Sequence, residues 1–287
     1  MSVHSSPLRY PGGKAKLTQY IVDIFRLNSI EGGHYVEPYA GGAGVAISLL
    51  FSGLCDHIHL NDLNYPLYCF WVSILDDTEG FCRKVRNSKI SVNAWKRHKK
   101  ILNFPLEHSK LNVGYAFFFL NRTNRSGIIN GGMIGGFEQN GQWKIDARFN
   151  KNNLIDRIIR ISEYKNKISL YNLDAEVFMK EVVKDLPRRT LIYIDPPYYN
   201  KGQRLYDNHY QHQDHEIISK VITKLKRPWV VSYDYTPEIK ELYKHNRVKR
   251  YSLDYSAACH YKGSELMAYS DKLILPRPNR PGKKIAA

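Results

Sequence analysis

Cysteine is scarce in this chain: Cys55, Cys69, Cys82 and Cys259 are the only four among 287 residues. None belongs to a Cys-x-x-Cys pair, which excludes the common structural zinc spacings and a disulfide framework. Cys55 and Cys69 sit among apolar neighbours and are expected in the core. No apolar run approaches the roughly 20 residues that span a bilayer, so no membrane segment is expected. The first residues lack the apolar stretch of a secretory leader, and a cytoplasmic location is the expectation. Acidic residues are few, 27 against 43 Lys and Arg, leaving a formal charge of +16. Such a field favours a polyanionic partner and salt-sensitive binding. Neither Gly-x-Gly-x-x-Gly nor Gly-Lys-Ser/Thr occurs, which disfavours a nicotinamide or flavin site and a Walker phosphate loop. The histidines at 209, 212 and 215 have no Cys or Glu cluster to complete a metal site. They read as a polar loop entering a helix over 216–226, with Asp214 as its N-cap. There are no internal repeats.

What is present is enough apolar material for a sizeable core, 43% of the chain, and 21 tyrosines available for stacking. Short apolar runs at 58–62, 168–171, 191–194, 229–233 and 272–275 read as strands, alternating with helical patterns at 17–27, 153–164 and 175–184. This is an α/β pattern. Between 66 and 153 the pattern changes. Helical stretches at 70–75, 94–103 and 113–120 carry the basic cluster Trp95-Lys96-Arg97-His98-Lys99-Lys100. They lead into Asn121-Arg122-Thr123-Asn124-Arg125-Ser126-Gly127 and a Gly-rich loop to Gly141. The division expected is a sheet domain from 1–65 and 154–275, a mostly helical insertion over 66–153, and a flexible basic tail over 276–287. Arg122, Asn124, Arg125, Ser126 and Asn130 are the candidates for contact with a nucleic acid, since Arg and Asn read guanine and adenine edges.

Chemistry concentrates at predicted strand ends. Asp195-Pro196-Pro197-Tyr198 follows the apolar run 191–194. An acid, two prolines and an aromatic make a rigid polar corner beside a ring. Ligand clefts of open α/β sheets lie at the carboxyl ends of the strands. The Asp195 carboxylate and the Pro196 carbonyl can accept hydrogen bonds from an exocyclic amine while Tyr198 stacks on the ring that bears it. A second segment, Tyr35-Val36-Glu37-Pro38-Tyr39-Ala40-Gly41-Gly42-Ala43-Gly44, reads as strand, glycine turn and helix. Its glycines let backbone approach a ligand, and Glu37 suits a cationic group. Asp62 ends the next strand about twenty residues on, where an acid binds ribose hydroxyls in nucleotide-type folds. Pro11-Gly12-Gly13-Lys14 is a further turn that opens a helix.

Leu8-Arg9-Tyr10-Pro11-Gly12-Gly13-Lys14, Val36-Glu37-Pro38-Tyr39-Ala40-Gly41-Gly42 and Asp195-Pro196-Pro197-Tyr198 stand in one order. In this the chain resembles the Dam-like DNA adenine-N6 methyltransferases, the D12 class or alpha group, over nearly its whole length. The resemblance implies a Rossmann-like α/β sheet binding S-adenosylmethionine and a mostly helical target-recognition insertion. It implies that Tyr10 and Lys14 lie near the cofactor's methionine moiety. Glu37, Pro38, Ala40, Gly41 and Gly42 would form the first cofactor loop. Asp62 would bind the ribose and Asp174 the cofactor adenine. Asp195, Pro196, Pro197 and Tyr198 would form the catalytic pocket, with Asp195 also bordering the cofactor. No cysteine follows a proline in the manner of a cytosine-C5 enzyme. Members that read GATC carry an arginine at the place aligned with Asn130, and an aromatic and an Asn where Arg125 and Ser126 stand. That recognition sequence is therefore not carried over.

The expectation is a site-specific methyltransferase acting on a flipped-out adenine in double-stranded DNA, with a restriction-modification or defence setting and its cognate partner in view. Two other readings stand beside it: an RNA base amino-methyltransferase, and a non-catalytic DNA-binding subunit of a modification system.

Overall fold

The apolar run ahead of Asp195 becomes a strand buried at every position, near the middle of a seven-stranded sheet. The computed structural model describes residues 6–9, 17–199, 210–255 and 261–277. The strands are β1 (Gly33–Glu37), β2 (Cys55–Asn61), β3 (Ile168–Tyr171), β4 (Thr190–Ile194), β5 (Trp229–Asp234), β6 (Arg247–Tyr255) and β7 (Tyr261–Tyr269). Their order is β3-β2-β1-β4-β5-β7-β6. The first five pair in parallel and β7 inserts antiparallel between β5 and β6. The expected Rossmann-like α/β sheet is therefore found. Its topological switch point lies between β1 and β4, where the chain, having built outward through β2 and β3, returns to build the other way.

Two helical layers cover the sheet, and side-chain alternation assigns them. Leu191 and Tyr193 join the core that includes α1 (Thr18–Leu27) and α2 (Gly44–Phe51). Ile192 and Ile194 join the opposite core, with α8 (Ala175–Glu181), α9 (His212–Thr223) and α10 (Pro237–Leu242). A strand sandwiched between two layers has no polar face, which is why 191–194 reads as a continuous apolar run.

The crossover from β2 to β3 carries the insertion: α3 (Tyr65–Asp76), α4 (Thr78–Arg86), α5 (Val92–Asn103), α6 (Lys110–Thr123) and α7 (Lys151–Ser162). Asn64, Asp77, Ser91, Ser109 and Asn150 cap these helices through their side chains, satisfying first-turn N–H groups. Helix α6 is buried from Val113 to Thr123 save Arg122, the pattern of a helix surrounded by others. Phe70, Phe81, Phe118 and Phe149 interlock by ring packing at centroid distances of 5.5–5.8 Å. These rings belong to the same core as Tyr35 and Ile58 of the sheet, so the insertion is welded to one face.

The sequence reading departs from the fold in four places. The apolar run at 272–275 forms no strand. Asn28 takes both backbone groups of Ile274, accepting its N–H at 2.7 Å and donating to its carbonyl at 2.8 Å, so that stretch is held against α1 instead of the ladder. Strands β6 and β7 went unrecognised: β6 is an edge strand bearing Arg247, Lys249 and Arg250 with no apolar run, and the apolar stretch 266–269 of β7 was not picked out. Charge on an edge strand discourages pairing with other chains. Helix α4 was hidden by its charge. Asp214 sits at the third position of α9 and accepts from the Gln211 N–H at 2.7 Å, one half of a capping box with Gln211 as the N-cap.

Three histidines, His34, His57 and His59, cluster on one sheet face with ring centroids 4.8–5.3 Å apart. His34 Nδ1 lies 3.0 Å from His59 Nε2, and His57 bonds Ser169. No three metal-binding side chains among the described residues are arranged to hold an ion. Burial, reinforced by the neighbouring rings, pushes His59 down to about 3. Burial likewise lowers His98 and His215 to about 4 each.

Two outcomes follow from this packing. A Cβ at Gly114 of α6 would stand 2.5 Å from the Cys69 carbonyl oxygen of α3. Gly114→Ala should therefore lower unfolding stability by about 1–3 kcal/mol, read by urea denaturation, although alanine favours helix. Histidines held neutral in the fold take up protons in the unfolded chain near pH 6.5. The histidine contribution to stability should thus be complete above about pH 6.5 and be lost progressively toward pH 4. Asp56 partly opposes the lowering of His34, and Asp234 and Asp214 that of His215, whereas Lys167 adds to the lowering of His57. The raised carboxyl of Glu37 works the other way over the same range but is one group against several histidines. A urea midpoint that stays level from pH 7.5 to pH 5 would refute this.

Candidate active site

Four acids stand at the carboxyl ends of four adjacent parallel strands. Glu37 ends β1, Asp62 follows β2, Asp174 follows β3 and Asp195 follows β4. Glu37 and Asp195 flank the switch point.

The glycine turn after β1 is built from the sheet outward. The Ala40 N–H bonds the Asn61 carbonyl at 2.9 Å, and the Gly41 N–H bonds Asp62 Oδ2 at 3.0 Å. Asp62 Oδ1 accepts from the Asn64 N–H, so this carboxylate ties the turn to the end of β2. From the insertion, Trp71 Nε1 donates to the Gly41 carbonyl at 3.2 Å. Gly41 and the non-glycine Ala43 both adopt left-handed conformations, with φ of 48° and 46°. For alanine that costs roughly 1 kcal/mol, and it aims the start of α2 at the cleft. A Cβ at Gly44 would meet nothing within 4 Å, so open space lies beside the first residue of α2. Asp174 is exposed and caps α8 through the Glu176 N–H at 2.8 Å. Tyr10 and Lys14 lie outside the described residues.

Glu37 is buried, and burial pushes its carboxyl up to about 8. The Asp195 charge acts in the same direction, while the Tyr35 hydroxyl and the Ala46 N–H oppose it. At neutral pH with nothing bound, this acid is mostly protonated.

The corner after β4 is pinned at three points. Ser232 of β5 donates to Asp195 Oδ1 at 2.8 Å. The Tyr198 hydroxyl donates to Glu265 of β7 at 3.1 Å. The Tyr199 N–H donates to Asp234, the last residue of β5, at 2.8 Å. Glu265 is 1% exposed and also accepts from the Tyr251 hydroxyl. Pro196, Pro197 and Tyr198 are buried. Beside the corner, Tyr39 and Tyr210 share a hydroxyl contact of 3.0 Å, and His215 bonds the Tyr233 hydroxyl at 3.2 Å. Sequence reasoning missed Ser232, Asp234 and Glu265. The polar end of an otherwise apolar β5, Ser232-Tyr233-Asp234, is the same signal that marked Asp195. Glu265 had no signal, because β7 itself was not recognised.

In the insertion the candidates scatter. Asn124 is fully buried, accepting from Trp95 Nε1 at 2.6 Å and donating to the carbonyls of Ile128 and Ile129. The expectation that it reads DNA is corrected: its amide staples the loop from within. Arg125 is exposed and lines a shallow cleft with Ile134, Gln142 and Trp143. Asn130 is exposed and accepts from Lys99 at 2.8 Å. Ser126 is partly exposed in a left-handed conformation. Arg122 donates to the Arg148 carbonyl at 2.7 Å.

A Rossmann-like sheet with acids at its strand ends and a glycine turn at the switch point defines a nucleotide-type cofactor enzyme. The sequence matches the pattern of the D12 class N6 adenine-specific DNA methyltransferases over residues 10–257, and the chain belongs to that family. Membership makes S-adenosylmethionine the methyl donor. The fit agrees with the site, which offers carboxylates to a cationic sulfonium and open space beside α2. No curated protein matches the sequence. Among solved structures, it is similar to a Pyrococcus horikoshii protein described as an RNA methyltransferase, at 10% identity and a TM-score of 0.44, covering 94% of this chain and 89% of that one. It is also similar to precorrin-6y C5,15-methyltransferase from Geobacter metallireducens GS-15, at 10% identity and a TM-score of 0.37, covering 90% of each.

A cation placed beside Glu37 favours the ionised acid, so cofactor binding should release a proton. Affinity for S-adenosylmethionine should rise with pH to about 8 and level off above it. Calorimetry at pH 7 in buffers of different ionisation enthalpy should detect this release. Glu37→Gln should abolish it and weaken binding; an unchanged proton release in that variant would clear Glu37 of the role.

Proposed function

We propose that this protein methylates N6 of an adenine unstacked from duplex DNA, at a short specific sequence. The observation that carries the reading is the corner at Asp195, buried, anchored from β5 and β7, and set at the switch point beside Glu37. Adenine N6 is a poor nucleophile because its lone pair is delocalised into the ring. Hydrogen bonds from the amine to Asp195 and to the Pro196 carbonyl favour a pyramidal nitrogen and free that pair. Tyr198, its hydroxyl held by Glu265, stacks on the base; Pro197 stiffens the corner. When bound, S-adenosylmethionine supplies an electrophilic methyl group. Glu37, Pro38, Ala40, Gly41, Gly42, Asp62 and Asp174, with Tyr10 and Lys14, are the residues we assign to holding it. The chain's own contribution is positioning and electrostatics.

The choice of DNA over RNA is supported by membership of the DNA methyltransferase family, and the charge of the insertion agrees with a nucleic-acid partner. Arg122 is held down to about 9 by burial and then by the charges of Arg9, Arg157 and Arg148. No carboxylate is paired with these four among the described residues. Arg9 and Arg157 are fixed by backbone carbonyls of Asn124 and Ser6, each at 3.0 Å. Guanidiniums gathered without acids suit phosphates, which position a duplex without reading it. Arg125, Ser126 and Asn130 present polar groups near that surface and are the residues we assign to base recognition. The division of labour follows: residues 1–65 and 154–275 carry the reaction and 66–153 the recognition.

Three outcomes test this. Single-molecule sequencing of DNA from a methylase-free host expressing the chain should show modified adenines in one short motif. Their absence, with soluble protein that binds S-adenosylmethionine, would turn the assignment toward RNA or a subunit needing a partner. Asp195→Ala should abolish methylation, a loss of at least about 100-fold, while DNA affinity holds. Equal methylation by that variant would end the catalytic assignment. Arg125→Ala should relax the preferred site and weaken binding by about 1–3 kcal/mol; identical affinity and preference would remove Arg125 from the interface.

A further inference from the structure

Asp195 can serve an incoming amine only if its carboxylate holds one orientation. A carboxylate rotates through a broad, roughly two-fold torsion unless its neighbours stop it. Ser232, on the adjacent strand β5, has no exposed surface and donates to Asp195 Oδ1 at 2.8 Å. The same Ser232 Oγ lies 2.8 Å from the Tyr193 hydroxyl, itself buried on β4. An ionised carboxylate only accepts, so the single Ser232 proton goes to Asp195. Tyr193 must then supply its own proton to Ser232. The three groups form a chain with one direction, Tyr193 to Ser232 to Asp195, and each bond polarises the next.

The sheet makes this chain rigid. Tyr193 and Ser232 sit on neighbouring parallel strands whose register pairs Tyr193 with Val230 and Ile194 with Val231. Two residues past Val230, Ser232 comes level with Asp195 just beyond the end of β4. Ser232 is paired on its other side with Met267 of β7. The ladders fix where the two side chains leave the backbone, and both side chains are buried, so the hydroxyls are held where they meet.

We propose that Ser232 is a positioning residue for methyl transfer, orienting the Asp195 carboxylate toward the target amine, with Tyr193 as the donor that orients Ser232. This rests on the reading of Asp195 given above. Ser232 touches neither base nor cofactor in this scheme; it acts only through Asp195. A misplacement of about 1 Å at a reacting group can slow a reaction about 100-fold, which sets the scale.

The test is single-turnover methyl transfer to duplex DNA, with affinities for DNA and S-adenosylmethionine and thermal melting measured alongside. Ser232→Cys is nearly isosteric and a weak donor. It should slow methyl transfer about 10- to 100-fold while both affinities stay within about twofold and melting is little changed. Ser232→Thr restores the hydroxyl and should return most of the rate. Tyr193→Phe leaves the Ser232 to Asp195 bond in place and should cost less than Ser232→Cys. A Cys variant as fast as wild type overturns the proposal. So does a rate loss that tracks lost affinity or melting and that Thr does not repair, because that is the mark of a structural role alone. Asp195→Ala separates the two readings: methylation by that variant sinks the assignment of Asp195 itself, whereas its inactivity beside a normal Ser232→Cys sinks only the positioning role.

Discussion

The hydrogen bonds that tie the 195–199 corner to β5 and β7 are the constraint on which the site depends. A chain leaving a buried strand through two prolines has few backbone donors with which to fix itself. Here the fixing is done by side chains across the sheet: Ser232 on Asp195, Asp234 on the Tyr199 N–H, Glu265 on the Tyr198 hydroxyl. Asp234 and Glu265 are directly opposed in the antiparallel pairing of β5 with β7. A strand that runs against its neighbours thereby brings a second acid to the edge where the parallel strands end. The inserted β7 is a working part of the pocket as well as a closure of the sheet.

Charge is divided between two surfaces. The chain as a whole is strongly basic, yet the centre of the sheet edge holds Glu37 and Asp195 close enough for burial and then the Asp195 charge to raise Glu37. Acid is concentrated at the sheet edge, and base is spread over the insertion and its seam with residues 6–9. In the function proposed, this separation would let a phosphate backbone and a sulfonium be attracted to one protein without competing. The long-range attraction is screened by salt; the buried acids are not.

The insertion is continuous with the sheet. Its aromatic core is that of the sheet face, and Trp71 reaches the glycine turn to hold the Gly41 carbonyl. Asn121 binds the backbone of Arg9 on both sides, accepting its N–H at 2.8 Å and donating to its carbonyl at 2.6 Å. Helices that share a core with the glycine turn cannot drift relative to it, so in the proposed function a base contacted by the insertion and a base held at Asp195 would keep a fixed spacing.

Much of this was legible in residue order. The continuous apolar run before Asp195 marks a strand buried on both faces, and the acids at 37, 62, 174 and 195 mark where strands stop. The glycine turn needs no partner to be recognised, because its conformational demand is local. Other features were hidden. Strand β6 bears charge on the sheet edge and shows no apolar signal, the short apolar run 266–269 of β7 was not picked out, and Glu265 was missed with it. Asn124 has the composition of a base reader, yet burial turned its amide inward to bind Trp95 and two loop carbonyls. The sequence by itself determined the strands, the turns and the chemical identity of the corner, because those follow from periodicity and from conformations that only certain residues adopt. Only the tertiary structure decided which polar side chains face the cleft and which are consumed as anchors. That depends on register between strands far apart in the chain and on the need of every buried polar group for a partner.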